Sequence, residues 1–372
     1  MRSSFKSAFP CTTHLFSLNP KNIYNFGMQL PSRRAALGLL AASPIYAPTI
    51  LGAQNKSGSA KPIVGEGDHK YEVTHDWGEL PANIHYGNTH GVCEDSQGRI
   101  YVHHTVNKTS ESHDTMVVFD AKGKFVKSWG KEFIGGAHGL HIAKEGSTEY
   151  LYLCDTKNGI VCKTTLDGEY VWKVGYPSEA EPYAAAKIKY SPTNLAIAPN
   201  GDVYVGDGYG SSYINRYDAT GKYLSTFGGK GTEAGKLDCP HGMILDARGA
   251  VPNLTIADRS NKRLQRFTLE GKHIDFVQNM PAPCNFDIRP NGDMVVPDLF
   301  ARVTLLDKNN RVIVQLGDDS TSDYRKTRSM TRDAFTPGKF VCPHGACFDH
   351  LGNIFVVEWV EVGRVSKLRK VA

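Results

Sequence analysis

The chain lacks most of what would tie it to a membrane, a nucleic acid or a disulfide framework. No stretch of its 372 residues approaches the roughly 18 consecutive apolar residues of a membrane-spanning helix. The formal charge of +5 comes from Arg2, Lys6, Lys21, Arg33 and Arg34, and the first acidic residue is Glu66. Beyond residue 53 the chain carries 38 basic and 38 acidic side chains. A neutral body leaves no electrostatic footprint for nucleic acid or anionic lipid, so neither is expected as a partner. The eight cysteines contain no CxxC pair. Cys154 and Cys162 are expected to face each other across adjacent strands, and the others read as small buried residues. Helical periodicity is nearly absent as well. What remains is 40% apolar and 10% aromatic, enough for a large core and too much for a disordered chain.

Residues 1–53 read as a twin-arginine-type export signal. Ser32, Arg33 and Arg34 precede a weakly apolar run from Ala35 to Ala42, and a small-residue tail ends at Leu51, Gly52 and Ala53. This length exceeds what such a leader needs, so Met28 is an alternative start. Residues 54–67 read as a linker. Export through the twin-arginine pathway would place the body in the periplasm or outside the cell, where disulfides are permitted.

From residue 89 onward the sequence repeats itself. Each unit opens with a small residue or proline, then His or Asn, then a short apolar strand. The openings are Thr89-His90-Gly91, Ala137-His138-Gly139, Thr193-Asn194-Leu195, Pro240-His241-Gly242, Cys284-Asn285-Phe286 and Pro343-His344-Gly345. A turn such as Pro199-Asn200-Gly201-Asp202 follows, then a β-branched strand ending at Asp155, Asp207, Asp258, Asp298 or Glu358, then two more strand-like segments. The openings lie 48, 56, 47, 44 and 59 residues apart, and four strands in about fifty residues is the size of a propeller blade. The sixth unit stops at Ala372 without a fourth strand, while Lys70-Tyr71-Glu72-Val73 ahead of the first unit has that pattern. Residues 68–372 are therefore expected to form a six-bladed β-propeller, all-β, closed by an N-terminal strand that completes the last blade and pairs two otherwise open edges.

The start of each first strand, the end of each second strand and the links between blades would share one face. Tyr176–Tyr190 and Asp318–Phe340 are the long links, and the second carries Arg325, Lys326, Arg328 and Arg332, which read as a solvated charge run. At the axis, blades two, four and six open with His138, His241 and His344, at two equal intervals of 103 residues. Three equivalent imidazoles converging with threefold symmetry suit zinc, with a fourth position left open for catalysis. His90 breaks the symmetry and is read as an outer-shell partner. His103, His104 and His141 are read as polar residues at strand ends, with His104, Asn194 and Asn285 as further candidates for the outer shell.

The repeat region resembles NHL-type propellers and is similar, within them, to the family of peptidyl-α-hydroxyglycine α-amidating lyases. The resemblance is sharpest from Pro192 to Phe267, in Val205-Gly206-Asp207-Gly208-Tyr209, Cys239-Pro240-His241 and Ile256-Ala257-Asp258-Arg259. It implies a zinc lyase in which His138, His241 and His344 hold the metal, Tyr209 is the base, and Arg259 engages a substrate carboxylate. The reaction implied is cleavage of a carbinolamide N–C bond in a small or peptide-like substrate, releasing an amide and glyoxylate or a related aldehyde. The chain departs from the family at His104, where the first blade should carry an arginine, and at Gly345, where an aspartate is associated with a structural calcium. Two other readings stand beside this one: a non-catalytic propeller binding a peptide, glycan or protein, and a lactonase-like hydrolase using calcium held by carboxylate and Asn ligands, for which Asn194 and Asn285 are available. The protein is expected to be a monomer.

Overall fold

A computed structural model describes residues 61–371. The expected export signal and the first part of the expected linker lie outside these residues. The described chain forms six antiparallel sheets, five of four strands and one of five, arranged as the blades of a propeller. Blade one uses Thr89–Glu94, Ile100–His104, Met116–Phe119 and Phe125–Trp129; blade four uses Pro240–Asp246, Asn253–Asp258, Arg263–Phe267 and His273–Val277. The other blades repeat this order. Among the described residues no helix is long and apolar enough to cross a membrane.

Closure occurs where the sequence places it. Tyr71–Thr74 pairs antiparallel with Arg364–Lys370, with Tyr71 opposite Lys370 and Thr74 opposite Lys367, so the first part of the domain supplies the outer strand of blade six. Part of the expected linker is also strand: Ile63–Val64 adds a fifth strand by pairing with Tyr71 and Glu72. A β-branched and apolar pair beside an exposed edge is enough to extend the ladder.

Alternation along the strands explains why the ring holds. In the second strand of blade two, Leu151 and Leu153 point toward blade one, beside Tyr101, Met116 and Val118. Tyr152 and Cys154 point the other way, toward Leu195, Val203 and Val205 of blade three. Side chains of period two thus feed two different cores from one strand. The same pattern repeats around the ring, so that six apolar clusters each lie between neighbouring blades. The cluster joining Phe355 and Val357 to Val92, Val102 and Phe119 closes blade six on blade one. Each fully buried leucine in these clusters contributes roughly 1.5–3 kcal/mol.

The same alternation overturns one expectation. Cys154 stands opposite Val161, and Cys162 opposite Leu153, so the two cysteines lie on opposite faces of their sheet and in different clusters. Each of the seven described cysteines is buried and free. Packing, not disulfide bonding, holds the described fold.

The carboxylates that end the second strands fasten the links between blades. Asp207 accepts hydrogen bonds from the backbone N–H of Ser191 and Ser211, both at 2.6 Å. Asp258 accepts from Asp238 N–H at 2.7 Å, Asp298 from Ala282 N–H at 2.9 Å, and Glu358 from Val341 N–H at 2.7 Å. In each case the donors include residues shortly ahead of an opening. The latch therefore sets the position at which the openings of blades three to six reach the axis, while Asp155 of blade two accepts from Lys157 and Asn158 of its own following turn. Blade one carries His104 in this place; it is buried, its Nδ1 accepts from Val106 N–H at 3.1 Å, and its ring packs edge-on to Tyr86 at 4.8 Å.

Candidate metal centre

The four His-Gly openings share a local distortion. The first-strand register shifts between Thr89 and Gly91, Ala137 and Leu140, Pro240 and Met243, and Pro343 and Gly345. The Asn194–Ile197 strand of blade three pairs without a shift. A β-bulge re-aims the side chain beside it, and here that side chain is the histidine. Glycine follows because the neighbouring backbone is too close for anything larger. A Cβ at Gly242 would sit 1.9 Å from the Cys284 carbonyl oxygen, at Gly345 2.5 Å from that of His90, and at Gly139 2.8 Å from that of Thr193.

The result is a cluster of four buried imidazoles. His138, His241 and His344 have ring centroids 4.6–4.9 Å apart. His90 stands in the same cluster, 4.6 Å from both His138 and His344, with its Nδ1 3.4 Å from His344 Nε2. Carbonyl groups fix two tautomers: His138 Nδ1 donates to Thr193 O at 2.7 Å, and His344 Nδ1 donates to His90 O at 3.0 Å. Each Nε2 is then an unprotonated lone pair facing the cluster, the state in which imidazole binds a metal. Burial, reinforced by neighbouring imidazoles, holds His90 and His138 well below the usual histidine range; burial with Arg259 does the same for His241, and burial lowers His344 to about 3.

Tyr209 and Arg259 cap this cluster. The Tyr209 hydroxyl lies 3.2 Å from His138 Nε2 and 3.1 Å from His241 Nε2. Burial raises its pKa, and the Arg259 guanidinium, 5.3 Å from the ring centroid, opposes the rise. Asp258, the carboxylate next in sequence to Arg259, is occupied by Arg263 Nε at 2.7 Å and by Asn261. Arg259 makes no ion pair among the described residues.

The remaining sequence candidates fall elsewhere. Asn194 turns its Oδ1 onto Leu195 N–H at 2.8 Å. Asn285 is buried with Oδ1 unpartnered, and it lines a cavity of about 190 Å³ together with Glu94, His141 and Asp287. His103, read as a strand-end polar group, is fully buried with both ring nitrogens unpartnered. The charge run is not simply solvated. Arg328 stacks on Trp359, 3.5 Å from the ring centroid, and donates to Asn88 Oδ1 at 3.0 Å, while Arg332 pairs with Asp76. Insertion between blades six and one gives these guanidiniums acceptors that spacing alone does not reveal.

Sequence reasoning passed over Cys284, the small residue before Asn285. Ligand atoms of His241, Cys284 and His344 all lie within 4.8 Å of one another, as do those of His90, His138 and His344. The signal available was positional: Cys284 belongs to one of the six openings that converge on the axis.

The donors gathered here are imidazole and thiol, which suit zinc and its borderline-soft neighbours better than calcium. At Gly345, where the amidating-lyase family has the aspartate associated with calcium, a Cβ would also meet Val357 Cγ2 at 2.9 Å. That carboxylate does not fit this backbone.

No family model matches the chain. It is 29% identical over 199 residues to peptidyl-alpha-hydroxyglycine alpha-amidating lyase 2 of Drosophila melanogaster, covering 48% of this chain and 47% of that protein. Over 183 residues it is 28% identical to the peptidyl-glycine alpha-amidating monooxygenase of Mus musculus, covering 45% of this chain and 18% of the relative. NHL repeat-containing protein 3 of Mus musculus is 28% identical over 196 residues, covering 50% of this chain and 54% of the relative. The chain is an NHL-like propeller resembling the amidating lyase. Its matches to these three relatives span between 18% and 54% of their length. The solved structures of virginiamycin B lyase from Staphylococcus aureus (TM-score 0.54, 14% identity, 81% of this chain and 100% of that one) and of a putative gluconolactonase (TM-score 0.53, 14% identity, 80% and 96%) share the fold with this lyase-like propeller.

Proposed function

We propose that the chain is an exported zinc-dependent lyase of the peptidylamidoglycolate type, which splits a carbinolamide into an amide and glyoxylate or a related aldehyde. The observation that carries this reading is the joint placement of His138, His241 and His344 with Tyr209, whose hydroxyl is within hydrogen-bond reach of two of the three rings. Relatives named for the same reaction support it.

His138, His241 and His344 would hold the metal through Nε2, with the Thr193 and His90 carbonyls orienting two of the rings. A zinc ion held there supplies Lewis acidity to a substrate oxygen and lowers the pKa of its hydroxyl. Tyr209 takes the hydroxyl proton as general base, helped by the Arg259 guanidinium, which favours the phenolate. The C–O bond becomes a carbonyl, the C–N bond breaks with its electron pair going to nitrogen, and the proton returns from Tyr209 to that nitrogen. Neither water nor an oxidant is consumed. Arg259, free of any carboxylate partner among the described residues, is available to the carboxylate of the departing aldehyde.

A calcium-dependent lactonase-like site would need oxygen donors converging at this end of the axis. The groups found there are four imidazoles, a thiol, a phenol and a guanidinium, which favours the zinc reading. Elemental analysis of the purified protein tests the metal, with about one zinc per chain expected and its loss in His241→Ala. Release of glyoxylate from an α-hydroxyglycine compound tests the reaction. A protein without metal, or one whose zinc persists in His241→Ala, contradicts the site.

A further inference from the structure

Cys284 is the residue of the axial cluster that the lyase reading leaves without a task. Its side chain is fully buried, with a long contact of 3.6 Å from Sγ to the Ala282 carbonyl and the Arg259 guanidinium nearby. Its backbone is held in place from two sides. Cys284 N–H donates to Pro297 O at 3.0 Å, and the bulged opening of blade four lies directly on its carbonyl, where Gly242 leaves no room for a side chain. The thiol is thus fixed beside the rings that blades four and six bring to the axis.

The two groups of ligand atoms that come within 4.8 Å of one another share His344. Its Nδ1 is taken by the His90 carbonyl, so a single Nε2 serves both groups, and one ion held there can draw ligands from either side. The His241–Cys284–His344 group contains the ring whose Nε2 is 3.1 Å from the Tyr209 hydroxyl. The other group includes His90, which faces His344 Nε2 from the blade-one side. The Tyr209 hydroxyl is also 3.2 Å from His138 Nε2, so a substrate held by Tyr209 and Arg259 faces ligands of both groups, Cys284 among them.

We propose that Cys284 is a thiolate ligand of the metal, joining the axial histidines beside His241 and His344, so that this propeller does not bind its ion through imidazoles alone. The inference rests on the zinc reading above and adds the donor set. A coordinating thiol gives up its proton outright, which here leaves for solvent as the ion enters. Thiolate donation selects zinc, cobalt or cadmium over calcium and magnesium, and partly offsets the charge of the ion.

The test is titration of the metal-free full-length protein with Co²⁺, followed by absorbance and by proton release. Wild type is expected to show visible ligand-field bands together with a near-ultraviolet thiolate-to-cobalt charge-transfer band. In Cys284→Ser and Cys284→Ala the charge-transfer band disappears and one proton fewer is released per ion. Affinity falls in both by more than the roughly 10–100-fold that loss of an outer-shell partner costs. Cys239→Ser, at the other cysteine near Arg259, retains the band. Visible bands without the charge-transfer band in wild type, or a band that survives in both Cys284 variants, overturns the assignment and leaves the histidine site standing. Absence of any cobalt uptake by wild type overturns both. The wild-type spectrum decides by itself if the variants fail to fold.

Discussion

Blades three and four differ at one short segment, and the difference shows how the ring makes a site. Blade three opens with Asn194 in a regularly paired strand, and the amide folds back onto the next backbone N–H. Blade four opens with His241 at a bulge, followed by a glycine pressed against the blade-five backbone. The two blades otherwise share four strands, a carboxylate latch and an apolar cluster between them. A single shift of register with a glycine behind it therefore separates a structural opening from one that presents a donor to the axis.

The contrast is broken most severely by exchanging its key residue. His241→Ala should abolish zinc binding and with it glyoxylate release, whereas Asn194→Ala should leave metal content unchanged; equal loss in both would erase the distinction between the openings. Tyr209→Phe should retain zinc while lowering kcat by roughly 10²–10⁴-fold, the range for a lost general base. A change confined to KM would assign Tyr209 to binding alone.

The latch offers the next test. Asp258 is fully buried and paired with Arg263, so Asp258→Ala leaves a largely buried guanidinium uncompensated and should cost about 3–5 kcal/mol in chemical denaturation. His104→Ala at the equivalent place in blade one removes no charge pair and should cost less. Glycine sharpens the same comparison more gently. Gly242→Ala forces a backbone shift of the kind that costs about 1–3 kcal/mol and should weaken metal binding, while Gly175→Ala, whose Cβ would have nothing nearer than 4.0 Å, should be close to neutral.

The smallest effect is one of pH. Burial lowers His103 and His104 to about 3 and His75 to about 4, so these rings stay neutral when folded and charge near 6.5 when unfolded. The unfolded state then binds more protons below pH 6.5, and the stability present above that value is lost as pH falls toward the folded values. Each ring contributes a slope approaching 1.4 kcal/mol per pH unit, roughly, below 6.5. His104→Gln should flatten the dependence of urea unfolding on pH between 6.5 and about 4; an unchanged slope would mean that His104 is protonated in the folded protein.

Much of this architecture is legible in the sequence because propeller blades are local. The six openings, the β-branched second strands and the Tyr71 segment each announce a strand and its neighbour without reference to distant residues. Three of the axial histidines follow from their equal spacing. Other features depend on contacts between segments far apart in the chain. The position of His90 follows from the bulges on either side of it, and Cys284 looks like any small buried residue until the opening of blade four is laid across it. Arg328 and Arg332 look solvated until the long link folds back over blades six and one to meet Asn88, Trp359 and Asp76. Cys154 and Cys162 invite pairing by proximity in sequence, and the register that parts them is set by which leucines must face blade one.

X-ray absorption at the zinc edge of the purified protein tests the axial centre most directly. A first shell dominated by imidazole nitrogen at about 2.0–2.1 Å, with one sulfur at about 2.3 Å from Cys284, is the predicted result. A shell made of oxygen donors, or a protein that carries no zinc at all, would contradict it.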